Sequence, residues 1–285
     1  MRGSGRVGTV AWQSWGSPEA TAMPVLLLHG VTDSSGCWAG PAEQLARGSH
    51  VVAQDARGHG DSPLLQEPFT IAALAADAAR VLREVIGRPA LVVGHSMGGV
   101  TAQELALTEP DLVAGLVLED PAWVTVREVD TSGVPLWMRQ TLASYRDVTA
   151  EELEERSRVE HPTWAPEVHV AWAEAKVVVD QGLADVPHAW DGRDWVEAMA
   201  GLAMPVTLLT GDPAQGAIVR PAQVSRVVEL LGAFPDGNLV HVPVPHVGHC
   251  IRYEAPLRFL DAVEDALVRS ARLHLGVDAR AVGEV

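Results

Sequence analysis

Gly94-His95-Ser96-Met97-Gly98 is the stretch of the chain whose residue types and spacing point most directly to chemistry. It follows Ala90-Leu91-Val92-Val93, a run of small strand formers, and opens a segment of helical spacing from Met97 to Thr108. A strand that turns straight into a helix crowds the neighbours of the turn residue. The positions two before and two after it must therefore lack side chains. The serine between them is held on a strained turn with its hydroxyl exposed. The helix N-terminus behind it favours developing negative charge. The chemistry this suits is nucleophilic acyl transfer, for which a serine hydroxyl is weak and needs a base. Eleven histidines are present. His249 is the preferred base, because Gly248-His249-Cys250 follows the last predicted strand and precedes the final helix. His246 is its nearest competitor and lacks the preceding glycine.

The elements that must position these residues alternate along the chain. The first ten residues are Gly- and Arg-rich and read as loose. Strands are predicted at Val10 to Trp15, Pro24 to Leu28, His50 to Gln54, Ala90 to Val93 and Val113 to Leu118. Helices are predicted at Thr70 to Ile86, ending on Gly87, and at Met97 to Thr108. The rhythm then breaks. From about 125 to 200 no convincing strand is found, and helical stretches fall at Leu136 to Tyr145, Ala150 to Val159, Pro166 to Asp180 and Asp194 to Leu202. The rhythm returns with strands at Val206 to Thr210 and Leu239 to Val244 and helices at Gln223 to Leu231 and Tyr253 to Leu273. This is the pattern of an α/β fold: a doubly wound, mostly parallel sheet with a helical insertion. The boundaries read are 1–122 and 203–285 for the core domain and 123–202 for a helical cap.

Composition excludes several function classes. Of 285 residues, 21 are Lys or Arg and 37 Asp or Glu, a net charge of −16. A chain this acidic is a poor partner for nucleic acid or an anionic membrane face. Lys176 is the only lysine. The two cysteines, Cys37 and Cys250, form no disulfide framework and read as free thiols. No apolar h-region is visible from Met1 to Ala20, and no stretch reaches eighteen apolar residues, so a cytoplasmic protein is expected. The histidines lack metal-site spacing and the Gly-rich loops match no phosphate-binding motif, so no metal and no cofactor are expected. The expected partner is a small-molecule substrate; a homodimer is left open.

His29-Gly30, Arg57-Gly58-His59-Gly60-Asp61-Ser62, Gly94-His95-Ser96-Met97-Gly98-Gly99 and Gly248-His249 resemble the α/β-hydrolase superfamily in order and spacing. The resemblance runs from about Val10 to Leu267. It implies the α/β-hydrolase fold, a serine nucleophile and a cap. It also implies a triad in the order nucleophile, acid, base, which suits Ser96 and His249. The acid is open between two positions. The commoner place follows Val206 to Thr210, where the usual acid position holds Ala214 and Asp212 stands two places early, before Pro213. The other is the end of the preceding strand, where Asp120 lies 24 residues after Ser96. Asp120 is preferred. Glu119, one residue off, should face the other side of the strand. The resemblance further implies that the N–H groups of Val31 and Met97 form an oxyanion hole, and that His29 and His59 bind loop backbone.

Five of the nine tryptophans, Trp137, Trp164, Trp172, Trp190 and Trp195, lie in the insertion, and Trp123 stands at its entrance. Trp123, Trp137 and Trp164 are the candidate substrate-binding residues, since aromatic side chains suit an apolar or aromatic group. The leading expectation is a cofactor-independent serine hydrolase acting on a carboxylic ester or lactone. The alternatives are an amide or carbamate hydrolase, a perhydrolase-type haloperoxidase, a slow-turnover receptor on the same fold, or a carbon–carbon bond hydrolase. The last would draw on a lid arginine among Arg127, Arg139, Arg146 and Arg193. Dehalogenase and epoxide-hydrolase chemistry is disfavoured, because those enzymes place an Asp where this chain has Ser96.

Overall fold

The computed structural model describes residues 1–65, 67–123, 133–190, 193–233 and 237–274. Five of its strands are buried on both faces, as parallel strands sandwiched by helices must be: β3 (Val25–Leu28), β4 (Val51–Gln54), β6 (Ala90–His95), β7 (Val113–Glu119) and β9 (Val206–Thr210). Their sequences carry no regular alternation of apolar and polar residues.

In chain order the elements begin with β1 (Arg2–Val7), β2 (Val10–Trp15) and β3, then α1 (Ala39–Leu45) and β4. A two-residue strand β5 (Phe69–Thr70) leads into α2 (Ile71–Val81), followed by β6, α3 (Met97–Thr108) and β7. Next come α4 (Leu136–Ala143), α5 (Ala150–Glu160), α6 (Pro166–Val178), a short strand β8 (His188–Ala189) and α7 (Trp195–Ala198). The chain closes with β9 (Val206–Thr210), α8 (Pro221–Leu231), β10 (Leu239–Pro243), α9 (Ile251–Glu254) and α10 (Pro256–His274).

Eight strands form one sheet in the order β1-β2-β4-β3-β6-β7-β9-β10. It is parallel from β4 to β10 and antiparallel at the β1 and β2 edge. One apolar layer packs β-sheet residues against α2, α3 and α8 through Leu74, Ala78, Val100, Leu105 and Val227. The other packs the opposite face against α1 and α10 through Leu45, Phe259 and Val263. The fold is the α/β-hydrolase fold: a central, mostly parallel sheet covered on both faces.

Three expectations from sequence need correction. The first ten residues are not loose: Arg2–Val7 pairs antiparallel with β2, Arg2 opposite Trp15 and Val7 opposite Val10. Five of its six residues are exposed, so the strand carries no apolar pattern to read. The region from 125 to 200 does contain a strand, because His188–Ala189 pairs with Phe69–Thr70. Helix α1 also went unread, its Gly40 and Pro41 resembling a loop. Arg127 and the tail from 275 onward lie outside the described residues. Cys37 and Cys250 are free thiols. Among the described residues no helix is long and apolar enough to cross a membrane.

Candidate active site

Ser96, Asp120 and Val31 all follow the C-terminal ends of neighbouring parallel strands, β6, β7 and β3 in that order. This is the edge of an open α/β sheet at which ligands bind. His249 lies on the loop between β10 and α9, farther along the same sheet.

Ser96 has φ 53° and ψ −114°, far from either helix or strand geometry. Its N–H donates to Glu119 O at 3.1 Å, and its carbonyl accepts from Gly99, Val100 and Ala122 N–H. The backbone on both sides thus holds a conformation that costs about 1–3 kcal/mol in isolation. The flanking glycines are required by contact. A Cβ on Gly94 would stand 2.1 Å from Gly98 O, and one on Gly98 would stand 2.1 Å from Leu28 O. Both obstacles are main chain, which no side-chain rotation relieves.

Asp120 is completely buried and also has positive φ, 37°. Its N–H donates to Leu209 O at 2.9 Å, which anchors the end of β7 to β9. Its carboxylate accepts three hydrogen bonds. Ile218 N–H donates to Oδ2 at 2.8 Å, Val219 N–H to Oδ1 at 3.0 Å, and His249 Nδ1 to Oδ2 at 2.6 Å. A carboxylate only accepts, so His249 carries its proton on Nδ1 and leaves the lone pair on Nε2. That is the tautomer a general base requires.

The other candidates for acid and base are placed elsewhere. Asp212 folds back on its own loop, its Oδ1 accepting from Ala214 N–H at 2.9 Å. It forms the kind of local turn that Asp readily makes before proline. His246 is exposed, at φ 64°. Glu119 faces away from Asp120 and accepts from Arg252 N–H at 2.7 Å.

His95 stands in the serine turn beside the nucleophile. It also holds the base. Its ring lies 4.5 Å from the His249 ring, and its Nε2 donates to His249 O at 3.1 Å. Burial pushes its pKa well below the usual histidine value, with the Arg252 charge acting the same way. His95 is therefore a neutral spacer under the His249 loop. The two backbone N–H groups read as oxyanion donors, those of Val31 and Met97, make no hydrogen bond to any described residue. Met97 opens α3, where the first N–H groups have no partner within the helix.

The Val31 turn is tied down from behind. His29 Nε2 accepts from Ala56 N–H at 3.0 Å, and His59 Nε2 accepts from Thr32 N–H at 3.1 Å. The two rings stand 5.1 Å apart. Burial, then the His29 charge, pushes His59 down to about 3, and burial lowers His29 as well. His59 stays neutral in the folded chain near pH 5, whereas the unfolded chain protonates it below about 6.5. The unfolded state then binds more protons, so stability falls as pH drops from 6.5. His59 alone removes about 2 kcal/mol between pH 6.5 and 5, at roughly 1.4 kcal/mol per pH unit. Urea unfolding at pH 7 and pH 5 should show the midpoint falling at the lower pH. Equal midpoints would contradict the assignment of neutral buried histidines.

The tryptophans divide. Trp123 is buried, with Nε1 donating to Gln103 Oε1 at 2.8 Å, and its chain neighbour Ala122 bonds to Ser96 O. Trp137 is 40% exposed and meets Trp190 edge-on at 6.2 Å. Trp164 belongs to a separate cluster with Cys37, Ala175 and Tyr253, and stacks on His161 at 3.9 Å. The described contacts thus bring Trp123 next to the serine turn and leave Trp164 in a packing role. Of the insertion arginines weighed for a substrate carboxylate, Arg193 pairs with Glu104 and Arg139 lies 3.9 Å from Asp185.

Comparison with known proteins agrees with this fold. The family model described as the alpha/beta hydrolase fold matches residues 23–256. Lipase LipV of Mycobacterium tuberculosis is 44% identical over 98 residues, 34% of this chain and 37% of that protein. The sn-1-specific diacylglycerol lipase ABHD11 of Xenopus laevis is 40% identical over 99 residues, 34% of this chain and 31% of that protein. These matches span about a third of the relatives' own length. A thermophilic esterase from Thermogutta terrifontis, solved with malate bound, superposes with a TM-score of 0.66 at 25% identity, over 92% of this chain and 93% of that one. With a serine turn at the end of β6, an acid–histidine pair on the same sheet edge and a family model spanning most of its length, the chain belongs to the alpha/beta hydrolase fold family.

Proposed function

We propose that the protein is a serine hydrolase that cleaves a carboxylic ester or lactone through an acyl-enzyme. The observation that carries this reading is the 2.6 Å pairing of His249 Nδ1 with the buried Asp120 carboxylate, beside Ser96 on its strained turn. His249 Nε2 takes the Ser96 proton as Oγ attacks the substrate carbonyl carbon. The Val31 and Met97 N–H groups receive the negative oxygen of the tetrahedral intermediate. The intermediate collapses as His249 gives its proton to the leaving alkoxide, which departs as the alcohol or, from a lactone, stays tethered. Water, deprotonated by the same imidazole, then releases the acid and restores Ser96. Asp120 keeps the imidazole in the productive tautomer and stabilises its charged form. The lipase and esterase names of the relatives favour an ester bond, and the buried Trp123 favours an apolar group on the substrate.

The test is proton release at constant pH against aryl esters, alkyl esters, macrolactones, carbamates and amides. It is joined to labelling with a fluorophosphonate and mass mapping of the modified peptide. Turnover of an ester or lactone, with the label on Ser96, is the expected result. Turnover confined to amides or carbamates would move the bond class. No turnover and no label would overturn the reading.

A further inference from the structure

The catalytic reading leaves four buried charges unused, and they connect three parts of the molecule. Lys176 comes from α6, in the insertion between β7 and β9. Its Nζ donates to Asp33 Oδ1 at 2.6 Å and to Thr32 O at 3.0 Å. Asp33 Oδ2 accepts from Arg252 Nη2 at 2.7 Å. Arg252 Nη1 stands 3.2 Å from Glu119 Oε2, and the Arg252 N–H donates to Glu119 Oε1. Arg252 is three residues after His249, and Glu119 is the residue before Asp120. None of the four is more than 6% exposed. Two cations meet two anions, so the cluster is neutral as a whole. Removing any one member strands a charge away from water. The Lys176 ammonium also lies 5.0 Å from the Trp172 ring, and the Arg252 guanidinium 4.1 Å from the Tyr253 ring. Such stacking favours cations that have lost their water.

The point of attachment matters. Asp33 N–H donates to Gly30 O at 3.1 Å, closing a four-residue turn, Gly30-Val31-Thr32-Asp33. That turn carries the Val31 N–H. Thr32 within it has φ 65°, a left-handed conformation that a β-branched residue holds only when its surroundings impose it. Its N–H is held by His59 from one side and its carbonyl by Lys176 from the other. Lys176 thus grips the turn at two atoms, the Thr32 carbonyl and the Asp33 carboxylate.

We propose that Lys176 is a positioning residue for catalysis: reaching from the insertion into the core, its ammonium fixes the Gly30–Asp33 turn so that the Val31 N–H points at the site of the developing oxyanion. This rests on the serine-hydrolase reading given above. The seating of α6 and the setting of the oxyanion donor depend on the same side chain, because Lys176 makes both contacts to the turn. The lone lysine of the chain is suited to this. A compact ammonium can donate to a carbonyl and a carboxylate at once, whereas the planar fork of arginine is shaped for paired oxygens.

The experiment uses the full chain and a substrate that it turns over. Lys176→Met is expected to lower kcat about 10- to 100-fold with KM within about threefold. That is less than the 10²–10³ lost when an oxyanion donor is removed outright, because the Val31 N–H stays but is aimed less well. Lys176→Met also strands Asp33, so the melting temperature should fall. The double variant Lys176→Met/Asp33→Asn removes one cation and one anion and restores neutrality. It should recover the lost melting temperature but not the lost kcat, since the Thr32 carbonyl still lacks its clamp. Recovery of kcat together with stability would overturn the proposal and leave Lys176 as a structural charge. An unchanged kcat in folded Lys176→Met would overturn it too. Should Lys176→Met fail to fold, the double variant decides alone: a low kcat supports the proposal and a wild-type kcat overturns it. Ser96→Ala separates the two layers. If that variant stays active, the hydrolase reading fails and this inference falls with it. If it is inactive while the Lys176 variants are normal, only this inference fails.

Discussion

Ser96→Ala is expected to lower kcat by about 10⁴- to 10⁶-fold on the best ester or lactone, with the protein still folded. The loss follows from chemistry, because alanine offers no oxygen to acylate. Retention of the fold follows from geometry. The turn at φ 53° is imposed by main-chain bonds from Glu119, Gly99, Val100 and Ala122, none of which uses the hydroxyl. Alanine meets the same backbone strain as serine and no new contact. The stronger part of this expectation concerns combination. If Ser96 and His249 work as one unit, His249→Ala alone should cost nearly as much as Ser96→Ala. The double variant should then be no worse than either. The residual rate should still exceed the uncatalysed one by roughly 10³-fold, supplied by substrate binding and the Val31 and Met97 N–H groups. Multiplicative losses in the double variant would mean that the two residues act in separate steps, and the acyl-enzyme scheme would have to be abandoned. Measured kcat for the four proteins, with melting temperatures alongside, decides it.

The parts of the site legible in the sequence are those whose backbone geometry restricts residue type. Gly94 and Gly98 are glycines because carbonyl oxygens occupy the space of a Cβ, Gly98 O for the first and Leu28 O for the second, and both glycines fall within one five-residue motif. Strands β3, β6 and β7 were legible for a related reason. Burial on both faces leaves an unbroken apolar run. Strand β1 is held at the sheet edge by its backbone pairing, with five of its six residues exposed, so nothing in its composition marks it. The ion cluster was hidden by distance. Lys176 and Asp33 are 143 residues apart, and Arg252 and Asp33 219, so no spacing rule reaches them. A charged residue is read as solvated by default. The available signal was the isolation of one lysine among Ala173, Ala175, Val177 and Val178 on a helix of the insertion. The choice between Asp120 and Asp212 was open because each stands at the end of a parallel strand. What separates them is which carboxylate the His249 loop reaches after β10, and that depends on sheet order and loop path.

Replacing the two aspartates separately tests that choice. Asp120→Asn is expected to lower kcat by about 10³- to 10⁴-fold, and Asp212→Asn to change it by less than about threefold. In Asp120→Asn the side-chain amide can present its N–H₂ to His249 Nδ1. The imidazole proton then moves to Nε2, the atom that must be free to accept the Ser96 proton. The base is present but in the wrong tautomer. Part of the effect is structural. Ile218 and Val219 N–H both donate to the Asp120 carboxylate in a fully buried place, and asparagine has one acceptor oxygen where aspartate has two. One N–H is left without a partner, at a cost of about 1–3 kcal/mol. Activity must therefore be referred to the folded fraction, read from a melting curve at the assay temperature. Asp212 is different, because its oxygen serves only the Ala214 N–H of its own turn, and asparagine forms the same turn. A large loss in Asp212→Asn with near-normal turnover in Asp120→Asn would mean that the His249 loop swings to the other acid during catalysis. The 2.6 Å pairing would then belong to a resting state. The expected order instead makes the buried, three-fold hydrogen-bonded carboxylate at the end of β7 the one that orients the base.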